Sequence, residues 1–256
     1  MWKEERLCLK EKGGRRAVER LDKLLCSTGR WSRREVKQLV RQSRVLVDGR
    51  PADSPEEKLD PERAELQVDG QRVYCAAFLY LMLHKPAGVL SATEDRRQPT
   101  VLDLLPPELG RRGLFPVGRL DKDTTGLLLL TDDGPLSHAL LSPRRHVDKV
   151  YWARVEGTLD AGDADALREG MTLGDGLRCL PAELEILEDG SQCRVTLREG
   201  KYHQVKRMLA ARGKPVLALK RLSMGPLALD RALKPGEWRF LRPQEVLALQ
   251  SLRGVQ

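Results

Sequence analysis

The sequence predicts an α+β protein: a small basic module of two short helices and a hairpin, followed by a larger body in which strands alternate with a few helices. Three observations predict it. Apolar side chains recur at helical spacing in two short stretches between residues 18 and 40, separated by Gly29. Beyond residue 80, apolar runs of strand length are closed by Gly and Pro, as in YLMLHKPAGVL and in the four leucines of GRLDKDTTGLLLLTDDG, residues 118–134. The charge also divides unevenly. Residues 1–50 hold 15 Lys and Arg against 7 Asp and Glu, an excess that equals the whole formal charge of +8, while the remaining residues hold 30 of each sign. A basic block on a neutral body suits an anchor for a polyanion, with nucleic acid the first candidate.

The elements follow in order. Residues 1–14 (MWKEERLCLKEKGG) are charged, end in Gly-Gly and read as a flexible basic tail. Val18, Leu21, Leu24 and Leu25 form the apolar stripe of a first helix that Gly29 ends. Ser32 and Glu35 make an S-x-x-E capping box for a second, with Val36, Leu39 and Val40 on its inner face and Arg33, Arg34, Lys37, Arg41 and Arg44 outside. VLVDG, residues 45–49, reads as a strand running into an Asp-Gly turn, and a second short strand is expected over Glu65–Val68. Residues 70–79 read as connector. The domains expected are therefore the tail at 1–14, the module at 15–72, a linker at 73–79 and the body at 80–256.

In the body, SATEDRRQPTVLDLLP reads as a loop and short helix, HVDKVYWARVEG and SQCRVTLREG as strands, and KYHQVKRMLAARG as a helix with Val205, Met208 and Leu209 inward and Gly213 at its end. The five cysteines (Cys8, Cys26, Cys75, Cys179, Cys193) form no CxxC pair, and the four histidines show no ligand spacing, so neither a disulfide framework nor a metal site is expected. Asp123, Asp132 and Asp133 match no metal loop and read as turn residues. No apolar run reaches membrane-span length and the N-terminus lacks a signal core, which suits a cytoplasmic protein with no membrane partner.

The chemistry centres on residues 118–134. One carboxylate, Asp121, stands behind an Arg-Leu pair and ahead of a Thr-Thr-Gly turn and the leucines. That layout suits a loop entering a buried strand, where a carboxylate against apolar walls is costly unless paired. The same letters also suit an ordinary turn rim around a core strand. Taken alone, Tyr151 reads better as a core aromatic and Lys206 better as a solvated helix charge.

Taken together, these segments resemble a known family. RLDKLLCSTGRWSRREVKQLVRQSRVLVDG, residues 20–49, is similar to the S-four-like α-L RNA-binding domain in the spacing of Arg20, Leu21, Asp22, Leu25, Gly29, Ser32, Arg33, Val45 and Gly49. The stretch 118–134 resembles the catalytic signature of pseudouridine synthases, HKPAG at 84–88 their opening strand and turn, and the Lys-x-Tyr of residues 149–151 and REGKYHQVKRMLAARG at 198–213 their later motifs. From about residue 16 onward the chain resembles the RsuA-like branch of the bacterial ribosomal pseudouridine synthases. The resemblance implies a mixed, mostly antiparallel sheet in the body. It implies Asp121 as the catalytic residue, Tyr151 as the aromatic that stacks on uracil, and Lys206 as the cation paired with Asp121. Many relatives carry Arg there, and Lys keeps the charge but loses the bidentate fork.

Pseudouridine forms when uracil is detached from its sugar, turned and rejoined through carbon. No redox step or group donor is needed, so no cofactor is expected. A base inside folded RNA must be flipped into a pocket, where Tyr151 would hold the loose ring. Asp121 would attack the anomeric carbon or remove a sugar proton to give a glycal; both routes stay open, and both need it ionised, the form a neighbouring cation favours. Arg119 would contact phosphate or assist flipping, and Arg20, Arg33, Arg34, Lys37, Arg41 and Arg44 would hold the RNA. The YHQVKRM wording is closest to the enzymes of small-subunit (16S) ribosomal RNA, so the expected partner is that RNA, in an assembling particle, met by a monomer. The alternatives are a large-subunit (23S) synthase of the same branch and a non-catalytic RNA-binding assembly factor.

Overall fold

The computed structural model describes residues 18–28, 30–61, 63–73, 78–110, 112–142 and 145–252. The expected tail over 1–14, the Gly29 stop and the middle of the linker lie outside them.

In the N-terminal module, β1 (Glu19–Arg20) leads into α1 (Leu21–Ser27), and α2 (Arg33–Arg41) follows. Val18 precedes α1 and is exposed rather than part of its stripe. The capping box forms as expected: the Ser32 hydroxyl accepts from the Glu35 N–H at 3.3 Å and the Glu35 carboxylate from the Ser32 N–H at 2.6 Å. Next come β2 (Val45–Val47), β3 (Arg50–Pro51), β4 (Lys58–Leu59), β5 (Leu66–Val68) and β6 (Gln71–Val73). β4 pairs with β1, and the others form an antiparallel sheet in the order β3-β2-β5-β6. Two tight turns set its register. Asp48-Gly49 has φ values of 50° and 83°, and Asp69-Gly70 has 53° and 73°. Positive φ at both central residues is the two-residue hairpin geometry that Asp-Gly favours. The second turn corrects the sequence reading of residues 70–79 as connector, because it folds Gln71–Val73 back onto Leu66–Val68 as a fourth strand. The module has its own core, with Leu21, Leu25 and Val36 packed on Val45, Val47, Leu66 and Val68.

The body is one nine-stranded sheet with helices on both faces. Its strands are β7 (Tyr80–Lys85), β8 (Phe115–Pro116), β9 (Thr125–Thr131), β10 (Lys149–Val155), β13 (Glu183–Ile186), β14 (Gln192–Leu197), β15 (Val216–Met224), β16 (Leu227–Ala228) and β17 (Trp238–Phe240), while β11 (Met171–Thr172) and β12 (Arg178–Cys179) form a separate ribbon. The main path runs β13-β14-β10-β15-β9-β7-β17, and every pairing in it is antiparallel except β15 on β9. The sheet is mixed and mostly antiparallel, as the family resemblance implies.

The leucine run is the middle of β9. Strand alternation sends Leu128 and Leu130 into the core on one face and Leu127 and Leu129 into the core on the other. A strand buried on both sides has no polar side to show, which is why its letters do not alternate. The helices are α3 (Pro107–Gly110), α4 (Gly134–Leu141), α5 (Ala161–Glu169), α6 (Gln204–Ala211) and α7 (Pro243–Ser251). Leu167 of α5 and Val205, Met208 and Leu209 of α6 cover the first face, and Leu136 and Leu140 of α4 with Val246 and Leu249 of α7 cover the second. The short helix expected within residues 91–106 is absent there; the loop continues to Pro106 and α3 starts at Pro107. Asp133 is not a turn residue. It is fully buried, caps α4 by accepting from the Leu136 N–H at 3.0 Å, and accepts from the Tyr80 hydroxyl at 2.6 Å. Asp132 accepts from the Leu79 N–H and pairs with Arg112, each at 2.7 Å.

Candidate active site

Asp121 lies in the loop that enters β9, and buried groups fix that loop from two sides. On one side the Ser91 hydroxyl donates to the Leu120 carbonyl at 2.9 Å and accepts from the Leu120 N–H at 3.1 Å. On the other, the Lys85 ammonium donates to the carbonyls of Pro86, Lys122 and Thr124 at 3.0, 3.2 and 3.0 Å. Lys85 has no solvent exposure, and burial pulls its pKa from 10.5 down to about 8 against the opposing charges of Asp123 and Asp121. The Gly88 N–H donates to the Lys122 carbonyl at 2.8 Å, so the HKPAG turn and the Asp121 loop are clasped together.

Gly126 lets β9 approach β15. Its φ is +104°, and a Cβ there would stand 2.2 Å from the Arg221 carbonyl oxygen. The Arg221 guanidinium then donates to the Leu127 carbonyl at 2.8 Å. This close parallel seam sets Asp121, just upstream of β9, two strands from Tyr151 on β10.

The cavity between them has apolar walls from Leu120, Tyr151, Leu197, Val205 and Leu219 and polar groups from Arg119, Asp121, Thr124, Lys201, His203 and Gln204. Tyr151 is buried on the same face as Ala153 and Val155. Lys206, in the first turn of α6, places its ammonium 3.0 Å from Asp121 Oδ2 and 2.5 Å from Asp123 Oδ1. Burial lowers the Lys206 pKa, but the two carboxylates outweigh it and the net direction is up. The hydrogen bond from Lys206 holds Asp123 below the ordinary carboxylate range. His203 Nε2 is 3.4 Å from Asp121 Oδ1, and the Thr124 hydroxyl donates to Asp121 Oδ2 at 3.4 Å. The arrangement offers an apolar slot for a flat ring, with one carboxylate at its edge and a cation behind that carboxylate.

The structure thus brings Asp121, Tyr151 and Arg119 to one cavity, with Lys206 outside its lining and paired to Asp121. Asp123 is the turn residue the sequence suggested, inside the turn closed by the Thr124 N–H on the Asp121 carbonyl, and it also shares the Lys206 ammonium with Asp121. Sequence reasoning gave Lys85 no role; its signal was a charge at the end of the apolar run YLMLH, where burial without a partner is costly. It gave His203 none either, and that position had no local signal beyond its place before α6.

In the module, Arg33, Arg34, Lys37 and Arg41 are exposed and line one open groove along α2. The other two residues expected to hold RNA are engaged within the protein. Arg20 grips Asp22 through two hydrogen bonds of 2.9 and 2.8 Å, and Arg44 grips Asp69 through two of 2.6 and 2.7 Å. Among the described residues no group of three or more His, Cys, Asp and Glu side chains is arranged to hold a metal ion, and no helix is long and apolar enough to cross a membrane.

Comparison with known proteins identifies this architecture. Residues 79–211 match the RNA pseudouridylate synthase family and residues 19–63 the S4 domain. The chain is 50% identical over 230 residues to an uncharacterised RNA pseudouridine synthase of Bacillus subtilis, covering 89% of this chain and 96% of that one. It is 40% identical over 231 residues to ribosomal small subunit pseudouridine synthase A of Vibrio cholerae, covering 90% and 99%. A crystal structure of a pseudouridylate synthase superposes with a TM-score of 0.64 at 35% identity, over 90% of this chain and 99% of that one. The chain belongs to the RNA pseudouridylate synthase family, in its RsuA-like branch, and is therefore an RNA isomerase with an S4 domain ahead of its catalytic body.

Proposed function

We propose that the protein isomerises one uridine of 16S ribosomal RNA in an assembling small-subunit particle, working as a cytoplasmic monomer. The observation that carries this reading is the meeting of Asp121 and Tyr151 at one apolar-walled cavity, with Lys206 paired to Asp121 from outside the lining. One copy of the chain supplies all three, so no second copy is required. The small-subunit target is supported by the Vibrio cholerae relative, whose name carries that substrate, and by the YHQVKRM wording.

In this reading the target base is flipped into the cavity and lies against Tyr151, a contact worth roughly 1–3 kcal/mol. Lys206, 3.0 Å from Oδ2, aims the Asp121 carboxylate. Asp121 then detaches uracil, either by attack on the anomeric carbon or by removal of a sugar proton, and the ring turns and rejoins through carbon. Arg119 at the cavity mouth takes a phosphate, and Arg33, Arg34, Lys37 and Arg41 hold the RNA further along.

The test is an unmodified 16S transcript incubated with the protein, treated with carbodiimide and mapped by reverse transcription. One new stop is expected with the wild type and none with Asp121→Asn, which keeps the shape but is neither a nucleophile nor a useful base. RNA affinity is expected to stay close to wild type in that variant. Turnover by Asp121→Asn would overturn the role of Asp121, and a stop found only in 23S transcripts would move the target to the large subunit.

A further inference from the structure

The residue before α6, His203, has left-handed backbone, with φ at 50°. A residue with a Cβ rarely adopts that conformation unless its surroundings over-determine it. Here the imidazole is held on two sides. Its Nε2 reaches Asp121, and its ring stacks on Tyr202 with centroids 3.8 Å apart and planes 17° from parallel. Tyr202 itself is 74% exposed. A single exposed aromatic is ordinary on a protein surface. This one differs in its placement. It stands between Lys201 and His203, which both line the cavity, and one ring face is covered by the imidazole while the rest of the ring stands in solvent.

We propose that the outer face of Tyr202 is a stacking platform for the nucleobase next to the uridine that enters the cavity. Flipping one nucleotide out of an RNA strand leaves its neighbour unstacked on one side, and an aromatic face at the cavity mouth replaces that lost contact. Arg119, exposed and lining the same cavity, offers charge to the phosphate joining the two nucleotides. The imidazole beneath Tyr202 also reaches Asp121, at 3.4 Å, so the platform stands beside the carboxylate of the cavity. The platform rests on the proposed function, since it presumes an RNA strand at the cavity, but its test reads separately.

The test uses the full-length protein and an unmodified 16S transcript, with Tyr202→Ala, Tyr202→Leu and Tyr202→Phe. Because the side chain is exposed, all three variants should fold. Dissociation constants and KM for the transcript are expected to rise roughly 5- to 150-fold for Ala and Leu, the size of one lost base stack, with kcat nearly kept. Phe, which retains the ring, is expected to rescue both to within about twofold, and affinity for uridine monophosphate, which fills the cavity alone, is expected to change by less than about twofold in all three. A leucine variant that binds the transcript like wild type would overturn the platform, because any apolar side chain would then suffice. So would an equal loss of uridine monophosphate affinity, which would make Tyr202 a wall of the cavity. A wild type that binds the transcript but forms no pseudouridine would sink the 16S assignment, while the dissociation constants still decide the platform.

Discussion

The ammonium of Lys85 sits beneath the Asp121 loop with three carbonyls around it and no solvent exposure. Burial is the main cause of its pKa falling from 10.5 to about 8. The sign of the consequence follows. Below pH 8 folded and unfolded chains both hold the proton, and the folded state bears the full cost of the buried charge. Between about 8 and 10.5 the unfolded chain holds more protons than the folded one, so this group makes stability rise with pH across that window. Lys85→Met removes the dependence and leaves the Pro86, Lys122 and Thr124 carbonyls without their donor. Denaturant titrations at pH 7, 8, 9 and 10 should find the variant less stable at pH 7, with wild type gaining on it as pH rises. Parallel curves would mean that Lys85 keeps an ordinary pKa. At this scale the sequence was legible where a residue's partner is implied by its motif, as with Asp121 and Lys206. It was illegible where the partner lies far along the chain. Arg44 read as a free cation because Asp69, 25 residues away, cannot be paired with it by inspection, whereas Arg20 read as free although its main partner, Asp22, stands only two residues on.

Among the elements, β9 was the most legible and its neighbours the least. Its four leucines were readable as a buried strand, yet nothing in them says that one flank is antiparallel β7 and the other parallel β15. The clue to the parallel flank is Gly126, whose missing side chain admits the Arg221 backbone, and its meaning emerges only when both strands are placed. Gly126→Ala meets two obstacles at once: a φ that L residues rarely adopt and a backbone oxygen 2.2 Å from the new Cβ. Strain of the first kind costs about 1–3 kcal/mol and the overpacking a similar amount. A loss of at least about 2 kcal/mol in chemical denaturation is therefore expected. Asp121 lies five positions upstream, so pseudouridine formation should fall further than global stability explains. A variant as stable as wild type would show that the β9–β15 seam opens without cost. Two elements were misread: the short helix expected within residues 91–106, which begins only at Pro107, and β6, because a three-residue strand after an Asp-Gly turn carries too few side chains for periodicity to register.

The molecule as a whole has separate cores, one belonging to the module and two to the faces of the body's sheet. Arg112 of the body crosses between the two parts, donating to the Ser27 carbonyl at the end of α1 while pairing with Asp132. The division of labour was legible in charge alone, since the first 50 residues carry the net excess. Charge counting could not say which cations face outward. The α2 groove gathers Arg33, Arg34, Lys37 and Arg41, all exposed, on one face. Counterion release makes log affinity for RNA fall with log salt by roughly 0.7 per phosphate contact on single strands. Replacing all four by alanine in the full-length protein should therefore weaken binding to a 16S transcript at low salt and flatten the salt slope by about 3 if each cation meets one phosphate. Because Asp121, Tyr151 and Lys206 lie outside the module, turnover at saturating RNA should survive. Binding measured at four or five salt concentrations, with wild type alongside, decides the matter. Parallel slopes would mean that these side chains do not touch phosphate, and the RNA would then have to be held from the body, beginning with Arg119.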